Sequence, residues 1–362
     1  MDKNIVLGIT GGIAAYKMVE VASRLMKLGA TVDVVMTESA TKFVKPLTFR
    51  SITHRPVETD LFSPPNQFEV KHISLAKKAD IFLIGPATAN IIGKIAKGIA
   101  DDLLTTIITA TQAPVLISPA MNVKMYNNPI IQDNLEYLQK KGYKIITSPS
   151  GYLACGDVGE GRLPEPYQLV ENIKKQLTKK DLKNKKILIT AGPTREKIDP
   201  VRFISNHSSG KMGYELARMA SYRGADVTLI SGPSQLEPPL DVEVVNINSA
   251  EEMKKEVFKR SENQDIIIKA AAVSDIKPKK YNKNKIKKRK NELSNIEIES
   301  TTDILSELGR MKVEKQILVG FAAETEDLIK NSFKKLEEKN LDMIVANDIT
   351  KENAGFQSDK NE

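Results

Sequence analysis

KNIVLGITGGIAAYK, residues 3–17, contains the pattern from which the fold of the first half follows. Its apolar run is typical of a buried strand, and we expect a helix to follow from about Ala14 to Leu28. The glycines between them form a turn, where backbone N–H groups and the positive end of the helix dipole suit a phosphate. The turn lacks the G-x-G-x-x-G spacing of nicotinamide-binding folds, which argues against a dehydrogenase.

Strands and helices alternate through the rest of the chain. In the first half, the other predicted strands are TVDVVM (31–36), DIFLIGP (80–86) and PVLISP (114–119). The pattern restarts with ILITAGP (187–193), GADVTLISGP (224–233), DIIIKAAAV (265–273), ILVGFAAE (317–324) and DMIVAND (342–348). This order predicts an α/β protein with two doubly wound, Rossmann-like or flavodoxin-like, three-layer domains whose sheets are mainly parallel.

A polar stretch marks the expected domain boundary. TKKDLKNKK, residues 178–186, is rich in lysine and contains no apolar run, as is typical of a linker. We therefore expect a first domain at 1–178, a linker at 179–186 and a second domain at 187–362. The sequence stops soon after a predicted strand, so we expect the second domain to lack its last strand or helix.

The positive charge of the chain is concentrated in one loop. The formal net charge is +8 over 362 residues, and residues 279–290 carry eight basic residues and no acidic one. Such a run is typical of a solvated loop, and it also suits a polyanion such as a triphosphate. Tyr281 is its only aromatic residue, and the rest of the chain is near neutral, which disfavours a nucleic-acid-binding protein.

The single cysteine, Cys155, bears on both compartment and function. It excludes an internal disulfide and fits a reducing, cytoplasmic compartment. It lies in SGYLACGDVGEGRLPEP, residues 150–166, a glycine-rich loop suited to close over a site as a lid, unless the thiol is incidental. No apolar run reaches the roughly 18 residues that a membrane-spanning helix needs, so we expect no membrane partner.

Other candidate residues of the first half follow predicted strands, at the sheet edge where doubly wound folds bind ligands. The hydroxyls of Ser39, Thr41 and Thr88 either extend phosphate contacts or cap helices. His72, at the start of a helix in EVKHISLAKKAD, is a candidate base or a surface cap. Asn122, just past a strand in PAMNVKMY, is a candidate ligand or a turn residue.

In the second half, SNHSSGKMG (205–213) places Asn, Ser and Gly residues directly before a helix. An anion or acyl-phosphate site at the helix N-terminus is one interpretation, and an extended helix cap is the other. Arg195 or Arg202 would neutralise a phosphate there, and Asp275 ends a strand where it can reach a ribose or a metal. No Cys/His cluster has zinc-ligand spacing, so the sequence identifies no metal ligands.

Five stretches of the first half carry a resemblance across residues 1–178: GGIAAYK, HISLAKKAD, PATAN, PAMNxxMY and ACGDVGEGRLPEP. In this order they resemble the flavin-dependent phosphopantothenoylcysteine decarboxylases of the homo-oligomeric flavin-containing cysteine decarboxylase family. The resemblance implies that FMN oxidises the substrate thiol to a thioaldehyde, after which carbon dioxide leaves and the reduced flavin returns its electrons. It implies Cys155 as the proton donor, His72 as the active-site base or as a group that assists the release of carbon dioxide, and Asn122 as the ligand of the substrate carboxylate. The residues expected beside FMN are Gly11, Gly12, Ser39, Thr88, Ala89 and Asn90.

The second half is similar to the phosphopantothenate–cysteine ligase domain over residues 185–362, through SNHSSGKMG, AAAVSD, KIKK, GFAAET and NLDMIVAND. The resemblance implies a CTP-dependent reaction through an acyl-cytidylate, with Mg²⁺ offsetting the triphosphate charge. It implies that Asn206 holds the acyl-cytidylate and that Lys285 meets the triphosphate. The implied nucleotide site is lined by Asp275, Lys285, Thr301, Thr302, Asp303, Ile304, Phe321, Lys335 and Lys339. ESTTDI departs from the family pattern, which has a proline before the position of Asp303.

Together the two resemblances predict a cytoplasmic, bifunctional enzyme of coenzyme A biosynthesis. It would join 4'-phosphopantothenate to cysteine and then decarboxylate the product to 4'-phosphopantetheine, with small molecules and no nucleic acid as partners. The alternative is a regulatory flavoprotein or interaction subunit without catalysis, which His72, Asn122 and Cys155 argue against. The family implies a homo-oligomer, with trimers of the decarboxylase domain, dimers of the ligase domain and a dodecamer as their combination.

Overall fold

The computed structural model describes residues 1–62, 71–147, 151–152, 158–287, 296–324 and 326–348. Cys155 lies outside these described residues. The chain divides into two compact units, Met1–Leu177 and Thr178–Glu362. Both contain a six-stranded, all-parallel sheet with helices on its two faces, so the predicted α/β, three-layer fold class is confirmed.

The first unit is built around a sheet with the strand order β3-β2-β1-β4-β5-β6. Its strands are β1 (Asn4–Ile9), β2 (Thr31–Met36), β3 (Val57–Glu58), β4 (Ile81–Ala87), β5 (Val115–Pro119) and β6 (Lys144–Ile145), and β7 (Gly151–Tyr152) pairs with β8 (Val158–Gly159) in a separate antiparallel ribbon. Its helices are α1 (Lys17–Lys27), α2 (Glu38–Thr41), α3 (Pro46–Thr53), α4 (Lys71–Lys78), α5 (Ala89–Lys97), α6 (Leu103–Ala110), α7 (Val123–Tyr126), α8 (Pro129–Lys140) and α9 (Pro166–Leu177).

The stretch at residues 3–17 folds as its pattern indicates, with one difference. Strand β1 is buried along almost its whole length between β2 and β4, because its apolar side chains face helices on both sides of the sheet. Leu7 packs with α1, α3 and α9 on one face, and Val6 packs with α4, α5, α6 and α8 on the other. Helix α1 begins at Lys17 rather than Ala14, because a short 3-10 helix, Ile13–Tyr16, comes first.

The second unit repeats this plan with the order β13-β12-β9-β14-β17-β18. Its sheet strands are β9 (Lys186–Ala191), β12 (Asp226–Ser231), β13 (Glu243–Asn246), β14 (Ile266–Lys269), β17 (Ile317–Glu324) and β18 (Met343–Asp348). Two antiparallel ribbons join β10 (Arg195–Lys197) to β11 (Phe203–Ser205) and β15 (Ile276–Pro278) to β16 (Ile298–Ser300). Its helices are α10 (Lys211–Tyr222), α11 (Ala250–Ser261), α12 (Ile304–Met311) and α13 (Leu328–Glu338).

In each unit, the strands that come next after the first strand in the sequence lie on one side of it, and the later strands lie on its other side. The change lies between β1 and β4 in the first unit and between β9 and β14 in the second. At such a point the loops beyond the carboxyl ends of the two strands turn in opposite directions, which leaves a crevice between them. This topology positions one candidate site in each unit.

Candidate functional sites

A cavity of about 600 Å³ lies beyond the carboxyl ends of β1, β4 and β5 in the first unit, within the size range of small-molecule sites. Its lining comes from residues 11–14, Tyr16, Lys17, Thr88, Ala89, residues 120–122, Met125 and residues 161–163. A second cavity of about 450 Å³ adjoins it and is lined by Ser39 and Asn90, among others. The two share Gly11, Thr88, Ala89 and Met125, so the six residues expected beside FMN all lie along one crevice.

The glycine turn is shaped by close packing at one of its two glycines. A Cβ added to Gly11 would lie 2.4 Å from the Cβ of Ser39, which no real pair of side chains tolerates. A Cβ added to Gly12 would lie 3.4 Å from Cγ of Pro86, an ordinary contact. Gly11 is therefore required for the turn to approach α2, whereas Gly12 leaves room on the cavity side.

Thr88 has both of the roles considered for it. Its hydroxyl caps α5 by accepting from the N–H of Ile91 at 3.5 Å, and it also lines both cavities. Its own N–H donates to the buried hydroxyl of Thr10 at 3.2 Å, which ties the ends of β1 and β4 together. The N-terminal end of α5, where unpaired N–H groups favour an anion, thus faces the crevice.

Asn122 likewise combines a turn role with a place in the cavity lining. Its Oδ1 accepts from the N–H of Lys124 at 2.8 Å and caps α7, which fixes the orientation of the amide. Thr41, the other hydroxyl considered, instead donates to the carbonyl of Glu38 within α2.

Two cations that the motif analysis did not single out also line the larger cavity. Lys17 Nζ lies 3.0 Å from Oε1 of Glu165, and an Arg162 guanidinium nitrogen lies 2.6 Å from the same oxygen. Two positive groups thus share one carboxylate, which leaves the rim of this cavity with a surplus of positive charge. In the sequence, Lys17 is the last residue of GGIAAYK and Arg162 lies within GRLPEP, and both motifs also contribute to the resemblance.

His72 is not brought to this crevice. It is partly exposed on α4, and neither cavity is lined by it. The structure of one chain therefore gathers Asn122 and the residues expected beside FMN, but it leaves out His72, and Cys155 falls outside the described residues.

In the second unit a cavity of about 370 Å³ lies beyond β14, β17 and β18, beside the N-termini of α10 and α12. Lys285 and Thr301 do not line it. Thr301 is instead held by the backbone, because its hydroxyl donates to the carbonyl of Ser274 at 2.6 Å. Asn206 lines this cavity, and so do the other seven residues expected at the nucleotide site: Asp275, Thr302, Asp303, Ile304, Phe321, Lys335 and Lys339.

Asn206 connects two walls of this cavity. Its Nδ2 donates to the carbonyls of Ala272 and Val273 at 3.2 and 3.1 Å, which fixes the loop after β14 against the start of SNHSSGKMG. Gly210, four residues later in the same motif, has a left-handed φ of 84° at the N-cap of α10. A Cβ on Gly213 would lie 2.5 Å from Cβ of Ala191, so glycine lets α10 approach β9 and aim its N-terminus at the cavity.

Asp303 is both the cap of α12 and part of the cavity wall. It accepts from the N–H and the hydroxyl of Ser306 at 3.0 and 2.7 Å, and Lys339 Nζ lies 2.8 Å away. Burial opposes its ionisation, but these hydrogen bonds outweigh burial and lower the pKa of Asp303 to about 2. Asp303 is thus anionic at neutral pH and holds Lys339 beside the cavity.

Lys269 lines this cavity as well, although the sequence analysis did not select it. Its residue is 6% exposed, and within the described residues its amine has one close polar contact, Sδ of Met253 at 3.5 Å. Burial lowers the pKa of Lys269 to about 7, and the Asp303 carboxylate opposes that shift only in part. The feature of the sequence that could have indicated a buried lysine here is its place at the end of the apolar run DIIIK.

The two arginines considered for phosphate binding have other partners. Arg202 forms an ion pair with Asp199 at 3.0 Å, and the Arg195 guanidinium lies 4.7 Å from the centre of the Phe203 ring. Neither lines the cavity. The described residues contain no cluster of three or more His, Cys, Asp or Glu side chains that could hold a metal ion. Within the same part of the chain, no helix has the length and apolar character needed to cross a membrane.

Comparison with known proteins identifies a matching family for each half of the chain. A family model described as "Flavoprotein" matches residues 1–178, and one described as "DNA/pantothenate metabolism flavoprotein C-terminal domain" matches residues 182–362. The coenzyme A biosynthesis bifunctional protein CoaBC of Bacillus subtilis is 49% identical over 364 residues, covering 99% of this chain and 89% of the relative. The Escherichia coli protein of that name is 44% identical over 362 residues, with the same two coverages. The crystal structure of the C-terminal domain of a CoaBC protein is 52% identical, with a TM-score of 0.42 over 47% of this chain and 80% of that chain.

Proposed function

Because the chain belongs to the family of bifunctional coenzyme A biosynthesis proteins, as a phosphopantothenoylcysteine decarboxylase joined to a phosphopantothenate–cysteine ligase, we propose that each unit carries out one reaction in the cavity described above. The first unit is a flavoprotein, and its crevice serves the decarboxylation. The cavity of the second unit serves the ligation. The observation that carries both assignments is the gathering of the expected residues at one crevice in each unit.

The flavin of the first unit is FMN in this proposal. The crevice fits it, because the close approach of Gly11 to Ser39 shapes the glycine turn into a cradle with room at Gly12, and because Lys17, Arg162 and the N-terminus of α5 favour a phosphate. When bound, the flavin supplies the oxidation of the substrate thiol and the later reduction. Asn122 orients the substrate, since its oxygen is engaged by Lys124 and its amide N–H groups are the ones that can donate to a carboxylate.

Cys155 supplies the proton that completes the reduction, and its replacement isolates that step. The purified protein is expected to show flavin absorption bands and to release carbon dioxide from phosphopantothenoylcysteine. Cys155→Ser should still release carbon dioxide but should accumulate the oxidised ene-thiol product. A protein that binds no FMN even when FMN is supplied would overturn the decarboxylase assignment for this cavity.

His72 acts from a second copy of the chain in this proposal. It lies outside the crevice of its own unit, so the base that the reaction needs has to come from a neighbouring copy, as a trimer would allow. The variants His72→Asn and Asn122→Ala should each be inactive alone. When they are co-expressed in equal amounts, random pairing in a cyclic oligomer leaves about a quarter of the sites with both residues intact, so about a quarter of the wild-type decarboxylase activity should return. If the mixture stays inactive, His72 does not act on a neighbour's substrate.

In the second unit, the phosphopantothenate carboxylate attacks the α-phosphorus of CTP and pyrophosphate leaves. The cysteine amine then attacks the acyl carbon, and CMP leaves with the acyl–oxygen bond electrons. The protein's contribution is placement and charge neutralisation, for which Asn206, Lys335, Lys339 and the N-terminus of α10 line the cavity. Mg²⁺ enters with CTP, whose phosphate oxygens and waters are its usual ligands.

Nucleotide preference tests the ligase assignment. Pyrophosphate release in the presence of phosphopantothenate is expected with CTP and not with ATP at equal concentration, and cysteine should convert the intermediate to product. Release that depends on cysteine alone, without phosphopantothenate, would contradict an acyl-cytidylate. Lys285 should contribute to CTP binding, although in one chain it is exposed and outside the cavity.

A further inference from the structure

The hairpin between β10 and β11 contains a carboxylate, Asp199, that takes no part in the chemistry proposed above. Its side chain is 0% exposed. Burial opposes its ionisation, but the N–H donors of Val201, Arg202 and Ile286 outweigh burial and lower the pKa of Asp199, so it is an anion at neutral pH. A buried, ionised carboxylate of this kind needs several hydrogen-bond donors, and the residues that supply these donors are the ones that it holds in place.

The two oxygens of Asp199 have different partners. Oδ1 accepts from the N–H groups of Val201 and Arg202, both at 2.8 Å, and these bonds close the hairpin turn. Oδ2 accepts from the Arg202 guanidinium at 3.0 Å and from the N–H of Ile286 at 3.2 Å. One oxygen therefore serves the local turn, and the other reaches a segment more than eighty residues away in the sequence.

That distant segment is the basic loop at 279–290, of which the structure describes residues 279–287. Ile286 is held at both of its backbone groups, because its carbonyl accepts from the Arg202 guanidinium at 3.3 Å while its N–H donates to Asp199. Its side chain is buried, whereas Lys285 and Lys287 on either side are exposed. The loop also meets the hairpin at Asn282, whose N–H donates to the carbonyl of Ile198 at 3.0 Å. Ile286 is the contact that lies directly between Lys285 and Lys287, so it is the one that fixes where these two lysines lie.

The same hairpin continues through β11 into Asn206, which lines the ligase cavity. The hairpin thus connects a cavity residue to the anchor of the basic loop. From this geometry we propose that Asp199 is a positioning residue for ligation, which fixes Ile286 so that Lys285 is presented to the triphosphate of the nucleotide. This inference rests on the proposed role of Lys285 and adds the residue that positions it.

Asp199→Asn separates this role from that of a turn residue. The amide keeps one oxygen, which can still accept from the Val201 and Arg202 N–H groups, but its NH₂ group would face the donors of Arg202 and Ile286. The loop should therefore lose its anchor while the turn survives. Loss of a hydrogen bond to a charged group predicts that tryptic cleavage after Lys285 and Lys287 in the full-length protein, without nucleotide, accelerates by about tenfold or more.

Asp181→Asn is the matched control, because it removes a carboxylate from the same unit whose partner is the surface residue Arg223. It should leave cleavage in the basic loop unchanged. If Asp199→Asn gives a poorly folded protein, Ile286→Pro removes the N–H donor from the loop side and leaves the carboxylate in place. Cleavage of that variant is followed after Lys287 alone, because trypsin does not cut a Lys–Pro bond. Cleavage at the wild-type rate in the folded variants would overturn the proposal.

Kinetics distinguish positioning from general destabilisation. Asp199→Asn should raise the KM for CTP by about tenfold with a smaller change in kcat, and adding Lys285→Ala should add little, because both changes remove one interaction. Additive effects, or a loss confined to kcat, would contradict the proposal. If Lys285→Ala alone leaves the KM for CTP unchanged while Asp199→Asn still frees the loop, the failure lies in the proposed role of Lys285 and not in the anchor.

Discussion

Replacing Lys269 with methionine is expected to stabilise the second unit at neutral pH. The lysine is buried beside Met253, and its amine has no oxygen partner among the described residues. Burial lowers the pKa of Lys269 from 10.5 to about 7. Folding at neutral pH therefore has to deprotonate this amine in a large fraction of the molecules, although it is protonated in the unfolded chain. A methionine of similar length fills the same space without that cost.

The size and sign of the effect follow from the two pKa values. The unfolded chain binds more protons between pH 7 and 10.5, so stability rises with pH in this range. The destabilisation caused by the buried lysine is therefore absent above pH 10.5 and grows as pH falls towards 7. At 1.36 kcal/mol per pKa unit, the cost is about 4 kcal/mol at pH 7 and about 2 kcal/mol at pH 9. Lys269→Met should therefore exceed the wild type in free energy of unfolding by about these amounts, with the gap closing as pH rises.

Urea unfolding of the full chain measures this difference. The chain has no tryptophan, so Phe258→Trp in both proteins gives a fluorescence signal that belongs to α11 of the second unit. Lys255→Met is the matched control, because it removes an exposed lysine from the same helix and should change stability little at either pH. A Lys269→Met protein that is less stable than the wild type at pH 7, or a difference that does not change with pH, would refute the reasoning.

Three other changes test the two cavities. Hydrogen bonds, including that from Lys339, lower the pKa of Asp303 to about 2 against the effect of burial, so its stabilisation is present above pH 3.8 and lost as pH falls through 2. Asp303→Asn should cost about 1 kcal/mol at pH 5, allowing for solvent screening, and much less at pH 2, where the folded-state carboxylate is about half protonated; urea unfolding measures both values. Gly11→Ala, with its Cβ 2.4 Å from that of Ser39, should purify without flavin absorption, and a full flavin spectrum would contradict the cradle. Asn206→Asp sets a carboxylate against two backbone carbonyls, so pyrophosphate release should fall at least 100-fold while carbon dioxide release is unchanged.

The sequence predicted the sheets well because their strands are long apolar runs, and runs such as KNIVLGIT have few alternatives in a packed layer. The edge strands β3, β6 and β13 and the small ribbons β7–β8, β10–β11 and β15–β16 were missed, since strands of two to four residues carry no measurable periodicity. Residues at strand ends were brought together because parallel strands end at one edge of a sheet. The positions of His72 and Lys285 depend on a helix face and on a loop anchored far away in the sequence, which no local pattern encodes.

The edges of the first sheet limit how copies of that unit can associate. Its edge strands, β3 (Val57–Glu58) and β6 (Lys144–Ile145), are two residues long, so each offers almost no row of unpaired backbone groups to another strand. Any association of copies of the first unit at these edges would therefore rest on contacts between side chains and not on one continuous sheet. Contacts of that kind depend on a few anchoring residues, so a single substitution at the right position can separate the copies without unfolding either one.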